Sequence, residues 1–277
     1  MRTSAPTALR TLAFLPAMVV ALLATPAFAE DVPYVATPDE TVAAMLTMAR
    51  VGPGDEVIDL VSGDGRIVIS AVKDFGARHG LGIEINPRLV EAARAAAGRA
   101  GIADRAEFRQ QDLFETDFSA ATVLTMYLLP DLNLRLRPKI LAMRPGTRVV
   151  SHEFAMGDWQ PDARRTVLGD GHPRGPSVAY LWVVPAHVDG RWLWDEDGRA
   201  VEMTIRQVFQ RIEPHMADGR SAAGALTGDH VRLIIRQRSA AGRDEEIVYE
   251  GRVDADAISG TVSGPGARRA SWRATRR

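Results

Sequence analysis

The 277-residue chain has no cysteine. That excludes a disulfide framework, Cys-ligated zinc, iron-sulfur clusters and a thiol nucleophile. Histidine is sparse: the six present, at 79, 152, 172, 187, 215 and 230, have no ligand-like spacing, so no metal is expected. Neither sign of charge is in excess, with 34 Lys+Arg against 35 Asp+Glu, so no nucleic-acid partner is expected either. No Ser-His-Asp or paired-carboxylate arrangement is visible. Long apolar runs are also missing, apart from Leu12 to Ala24.

Arg2 and Arg10 precede that run, and Ala27-Phe28-Ala29 before Glu30 is the small-x-small pattern of a signal-peptidase site. Residues 1–29 therefore read as an export signal that delivers the chain to the periplasm. The run is short for a membrane span and Pro16 interrupts it, which disfavours the alternative of an inner-membrane anchor. Removal of the signal takes two Arg and moves the net charge from −1 to −3.

In the remainder, Thr37-Pro38-Asp39-Glu40 predicts a helix start, with Thr37 as cap and Glu40 completing a capping box. Strands are expected at 57–60, 81–85, 106–110, 123–128 and 147–154, and helices at 66–75, 87–100 and 132–143. This alternation predicts an α/β fold, a Rossmann-like doubly wound sheet with helices on both faces and ligands at the carboxyl ends of its strands. Near residue 155 the composition shifts. All five tryptophans (159, 182, 192, 194 and 272) lie beyond it, among short Gly-punctuated apolar runs that predict an antiparallel meander. Residues 178–184 and 191–195 read as a hairpin about Asp189-Gly190. Residues 201–212 fit strand or helix, and strand is preferred. The expected division is a signal peptide at 1–29, a Rossmann-like domain at 30–196 and a β-rich C-terminal domain at 197–277.

The run Val57-Ile58-Asp59-Leu60-Val61-Ser62-Gly63-Asp64-Gly65-Arg66 is a strand ending in an acid, followed by a small-residue loop into a helix. Gly63 and Gly65 do not complete the G-x-G-x-x-G spacing of a dinucleotide loop, and Asp59 and Asp64 would oppose a pyrophosphate. A ligand with an amino group and a sulfonium is favoured by such carboxylates, which selects S-adenosylmethionine over NAD. Glu84, ending the second strand, is placed to accept both hydroxyls of a ribose. Asp112, after the third strand, is placed to receive an adenine amino group.

Asp59 to Ile67, Gly82-Ile83-Glu84-Ile85-Asn86-Pro87 and Gln111-Asp112-Leu113 resemble the motifs of the class I, seven-β-strand S-adenosylmethionine-dependent methyltransferases. Ser62 to Val68, Glu84-x-Asn86-Pro87 and Ser151-His152-Glu153-Phe154 leading to Asp158-Trp159 are similar to the small protein-lysine methyltransferases of mitochondrial inner-membrane proteins, such as ATP synthase subunit c. The resemblance spans roughly residues 35–160. It implies S-adenosyl-L-methionine as cofactor, bound by Asp59, Val61, Ser62, Gly63, Gly65, Glu84 and Asp112, and a lysine or similar amine of a protein, one associated with a membrane, as acceptor.

The family pattern D-x-G-x-G-x-G has glycine where this chain has Val61. A β-branched residue fits there if its backbone is extended and its side chain turns into the core; otherwise the site is degenerate. A degenerate site would leave a non-catalytic periplasmic binding module. On the acceptor side, Tyr127 before Leu128-Leu129-Pro130 is the first catalytic candidate, because an aromatic rim orients and shields an amine. His152 and Glu153 follow the fifth strand, and alternation turns one inward and one outward. Trp159 is expected to cover the sheet edge.

Overall fold

The alternation read between residues 56 and 152 forms one sheet. In the computed structural model, which describes residues 35–169, 171–173, 175–196, 198–239, 242–265 and 267–277, β1 (Glu56–Leu60), β2 (His79–Glu84), β3 (Ala106–Gln110), β4 (Val123–Met126) and β5 (Arg148–His152) are parallel. The expected signal at 1–29 lies outside the described residues. β6 (Ala163–Val167) and β7 (Ser177–Val183) complete the order β3-β2-β1-β4-β5-β7-β6, with β7 antiparallel to both neighbours. The chain runs outward from β1 to β3 and returns to place β4 beside β1, so the order reverses at the β1/β4 crevice.

Strands buried on both faces explain the near-continuous apolar runs. On one face α1 (Asp39–Met48), α2 (Arg66–Lys73) and α3 (Pro87–Arg99) pack Val42, Met45, Val68, Val72 and Val90 against Val57, Phe108 and Val150. On the other, α4 (Pro130–Leu141) packs Leu136 and Ile140 with Ile58, Leu124, Trp159 and Trp182.

Thr37 does not cap α1. Pro38 occupies the N-cap and no side chain caps the helix, while the Thr37 hydroxyl lies 3.1 Å from Nδ1 of His152 at the end of β5. β6 was not foreseen, because its residues are exposed along an edge and show no apolar alternation.

The strands expected at 178–184 and 191–195 exist but are not a hairpin. β7 pairs with β5 and β6, whereas β8 (Gly190–Glu196) pairs with β9 (Arg199–Val208) and β15 (Ala267–Arg276) in a second sheet. Gln207 holds the chain where it turns away: its side-chain oxygen accepts from the backbone N–H of Val188 and Asp189, and its backbone N–H donates to the Asp189 carboxylate. The Asp189-Gly190 signal thus marks the entrance to the second sheet, which begins at 190 rather than 197.

That sheet adds β10 (Arg211–Met216), β11 (Ser221–Thr227), β12 (His230–Arg238), β13 (Asp244–Asp254) and β14 (Ala257–Gly264), in the order β10-β9-β8-β15-β14-β13-β12-β11, antiparallel throughout. Residues 201–212 are strand rather than helix, as preferred, but they are not one strand: the chain turns at Phe209-Gln210 between β9 and β10. The sheet curls until its edges meet, since a Cβ on Gly224 of β11 would stand 2.7 Å from Ile212 of β10. Trp192, Trp194, Met203, Leu233, Tyr249, Ile258 and Trp272 fill the resulting barrel.

Candidate active site

β1 ends in a loop whose polar groups are largely spoken for. The Gly63 N–H donates to Oε2 of Glu84 at 3.0 Å, the Asn86 N–H donates to Oε1 at 2.9 Å, and the Gly65 N–H donates to the Ser62 carbonyl. The first amide of α2, on Arg66, donates to the Asp64 carboxylate. A pyrophosphate needs those amides, so the loop is not a dinucleotide nest. Gly65 enters α2 at φ +83°, and a Cβ there would stand 2.6 Å from the Phe108 ring, so the turn requires glycine.

Asp59 and Glu84 are both buried, 2% and 3% exposed, and neither meets a cation among the described residues. The register of β1 with β4 sets Thr125 opposite Asp59, and the Thr125 hydroxyl donates to Oδ1 at 2.7 Å. Burial pushes the Asp59 carboxyl up to about 7; the Glu84 and Asp64 carboxylates add to the rise and the Thr125 bond opposes it. The buried Ser62 hydroxyl has no partner among the described residues. Carboxylates that hold hydrogen bonds but meet no cation among the described residues, beside the Ser62 hydroxyl, suit a ligand that brings positive charge and hydroxyl groups, as S-adenosylmethionine does.

Val61 does not take the extended, inward-turned conformation that was the condition for it to fit. Its backbone is left-handed, at φ +63°, and the residue is 38% exposed instead of turned into the core. Its backbone lies in the region that favours glycine, the residue of the family pattern, with valine in it. Asp112 stands at the end of β3 as expected, but it is exposed and its Oδ1 accepts the Phe114 N–H, so at least one oxygen serves the local turn.

A second cluster lies at the carboxyl ends of β4 and β5. The Tyr127 ring is 4.0 Å from that of His152 and 6.2 Å from that of Phe154, and its hydroxyl is 3.2 Å from Nε2 of His172. His152 is the residue turned inward, fully buried; Glu153 sits at φ +64° and its carboxylate accepts the Val178 N–H at 2.8 Å. Thr37 joins the two clusters. Its hydroxyl meets His152, and its carbonyl accepts from Arg66, whose guanidinium also grips Asp64. Trp159 is fully buried and packs on Trp182 and Phe209, as expected of a residue covering the sheet. Sequence reasoning missed Thr125 and His172. Pairing β1 with β4 at equal depth would have found the first, whereas nothing in the sequence around His172 marks the second.

Comparison with known proteins gives the family. The model of the ANTKMT methyltransferase domain matches residues 59–163. The protein-lysine N-methyltransferase of Saccharolobus islandicus is 42% identical over 161 residues, which cover 58% of this chain and 98% of that protein. The chain belongs to the class I S-adenosylmethionine-dependent methyltransferases. Mus musculus adenine nucleotide translocase lysine N-methyltransferase is 36% identical over 161 residues, 58% of this methyltransferase and 66% of the mouse protein. A solved RNA methyltransferase from Salinibacter ruber, in complex with S-adenosyl-L-homocysteine, is 51% identical with a TM-score of 0.51, over 56% of this chain and 96% of its own. S-adenosylmethionine is thus the cofactor, and the relatives support an enzyme over a non-catalytic module. The span of the family model, residues 59–163, lies within the Rossmann-like part of this methyltransferase.

Proposed function

We propose that this methyltransferase modifies a lysine or similar amine of a protein, with Asp59, Ser62, Gly63, Gly65 and Glu84 holding the cofactor and Tyr127 orienting the acceptor. The observation that carries this reading is the Tyr127, His152, Phe154 and His172 cluster, joined through Thr37 to the carboxylate-lined loop. The names of two relatives, which are lysine methyltransferases, support it.

The bound cofactor supplies an electrophilic methyl group on a sulfonium. Asp59 and Glu84 complement positive charge and ribose hydroxyls, and Ser62 offers a further hydroxyl. A lysine enters as an ammonium with a reference pKa of about 10.4, and enclosure among aromatic rings favours its neutral form. Tyr127 and His172 supply a hydroxyl and an imidazole to orient that amine, and the rings exclude water. The ammonium proton passes to solvent as the side chain enters, so no dedicated base is required.

Methyl-labelled S-adenosylmethionine with poly-L-lysine and with total RNA tests the acceptor. Label on lysine is expected. Label confined to RNA would favour the second reading, which the Salinibacter relative supports and the balanced charge of this chain opposes. We also propose that residues 1–29 export the enzyme to the periplasm; their fusion to a reporter active only after export should be active, and an inactive reporter retained in the cytoplasm would refute it.

A further inference from the structure

The β9–β10 hairpin has a two-residue loop, Phe209-Gln210, between the paired residues Val208 and Arg211. Such loops need positive φ at their first position and favour Gly, Asn or Asp there. Phe209 occupies it at φ +54°. A bulky residue held in that conformation calls for a compensating contact, and the contact is with the methyltransferase domain. The Phe209 ring stacks on Trp159 at 5.8 Å and 19°, and the Arg137 guanidinium of α4 lies 5.5 Å from its centre. Gln210 accepts from Nε1 of Trp159 at 2.9 Å and donates to the Gln160 carbonyl at 2.7 Å.

Trp159 closes the segment that follows β5. α4 secures the other side of that segment: Asn133 donates to the Phe154 carbonyl, and Arg137 donates to the Met156 carbonyl and pairs with Asp158. Phe154, at its start, stacks on Tyr127. We propose that Phe209 and Gln210 are positioning residues, through which the C-terminal barrel fixes residues 154–159 and so the acceptor wall. The inference rests on the acceptor-side reading above for its functional meaning, while the mechanical link is independent of it.

Phe209→Asn tests the link, because asparagine suits the hairpin loop better than phenylalanine and so preserves the fold while removing the stack. In the full chain, backbone amides 154–159 are expected to exchange with solvent about three- to tenfold faster, the range of one lost aromatic pair, with affinity for S-adenosylhomocysteine unchanged. Phe209→Tyr should restore slow exchange. In the poly-L-lysine assay, the apparent KM should rise for Phe209→Asn and recover in Phe209→Tyr. Unchanged exchange at 154–159, or equal acceleration throughout β1, β2 and β4, would overturn the proposal. Absence of transfer by the wild type would count against the lysine reading alone, and the exchange data would still decide this one.

Discussion

A valine at φ +63° carries a backbone cost of about 1–2 kcal/mol that glycine does not. Glycine returns part of that gain through its freer unfolded chain, roughly 0.5–1 kcal/mol. Val61→Gly is therefore expected to raise stability by about 0.5–1 kcal/mol and Tm by roughly 1–3 °C, with cofactor affinity equal or tighter. Calorimetry and titration with S-adenosylmethionine check both, and a lower Tm would contradict the strain argument. Asp59 carries the opposite kind of tension. Its folded pKa, about 7, stands above the ordinary carboxylate value, so the folded state binds the extra proton. Its contribution to stability is fully present below about pH 4, declines between about pH 4 and pH 7, and is flat above. Asp59→Asn keeps an acceptor for Thr125 and removes the titration. The variant should gain stability over wild type as pH rises from 5 to 8 while losing cofactor affinity, and a difference independent of pH would rule out Asp59 as its source.

At the scale of elements, the sequence was legible wherever local chemistry decides. α2 and α3 begin where Gly65 and the Asn86-Pro87 pair announce them, and Asn86 accepts the Arg88 N–H as a cap should. Asp59 and Glu84 were visible because acids ending two apolar strands are conspicuous. Long-range choices were hidden. Thr37 has the sequence of a cap, yet its hydroxyl bonds His152, 115 positions away, because a buried imidazole needs a partner more than a solvated helix end does. Thr37→Val should therefore cost about 1–2 kcal/mol without shortening α1, and Thr37→Ser should recover most of the loss. Denaturant unfolding with helix content followed by circular dichroism measures this. A loss of helix content in Thr37→Val would restore the capping role.

At the scale of the molecule, partner choice was what residue patterns did not reveal. β7 and β8 look alike as alternating strands, but one joins the Rossmann-like sheet and the other the barrel, so the boundary moved from 196 to the linker before Gly190. The two bodies nonetheless share backbone. The Gly146 N–H donates to the Val184 carbonyl and the Ala186 N–H to that of Gly228, each at 2.8 Å, and a Cβ on Gly228 would stand 3.0 Å from the Cα of Gly146. Gly228 is also left-handed, at φ +57°. Alanine there adds strain to a contact that cannot yield, because both sides are backbone. Gly228→Ala should cost about 1–3 kcal/mol. Because the contact joins barrel and sheet, the loss should appear as a calorimetric transition that broadens or splits, where the wild type is expected to show one peak. Residues 154–159 should hold their exchange rates in this variant, since Trp159 is secured by Phe209 at a different contact. A single sharp transition at the wild-type temperature would mean that the two bodies are coupled through the hairpin alone.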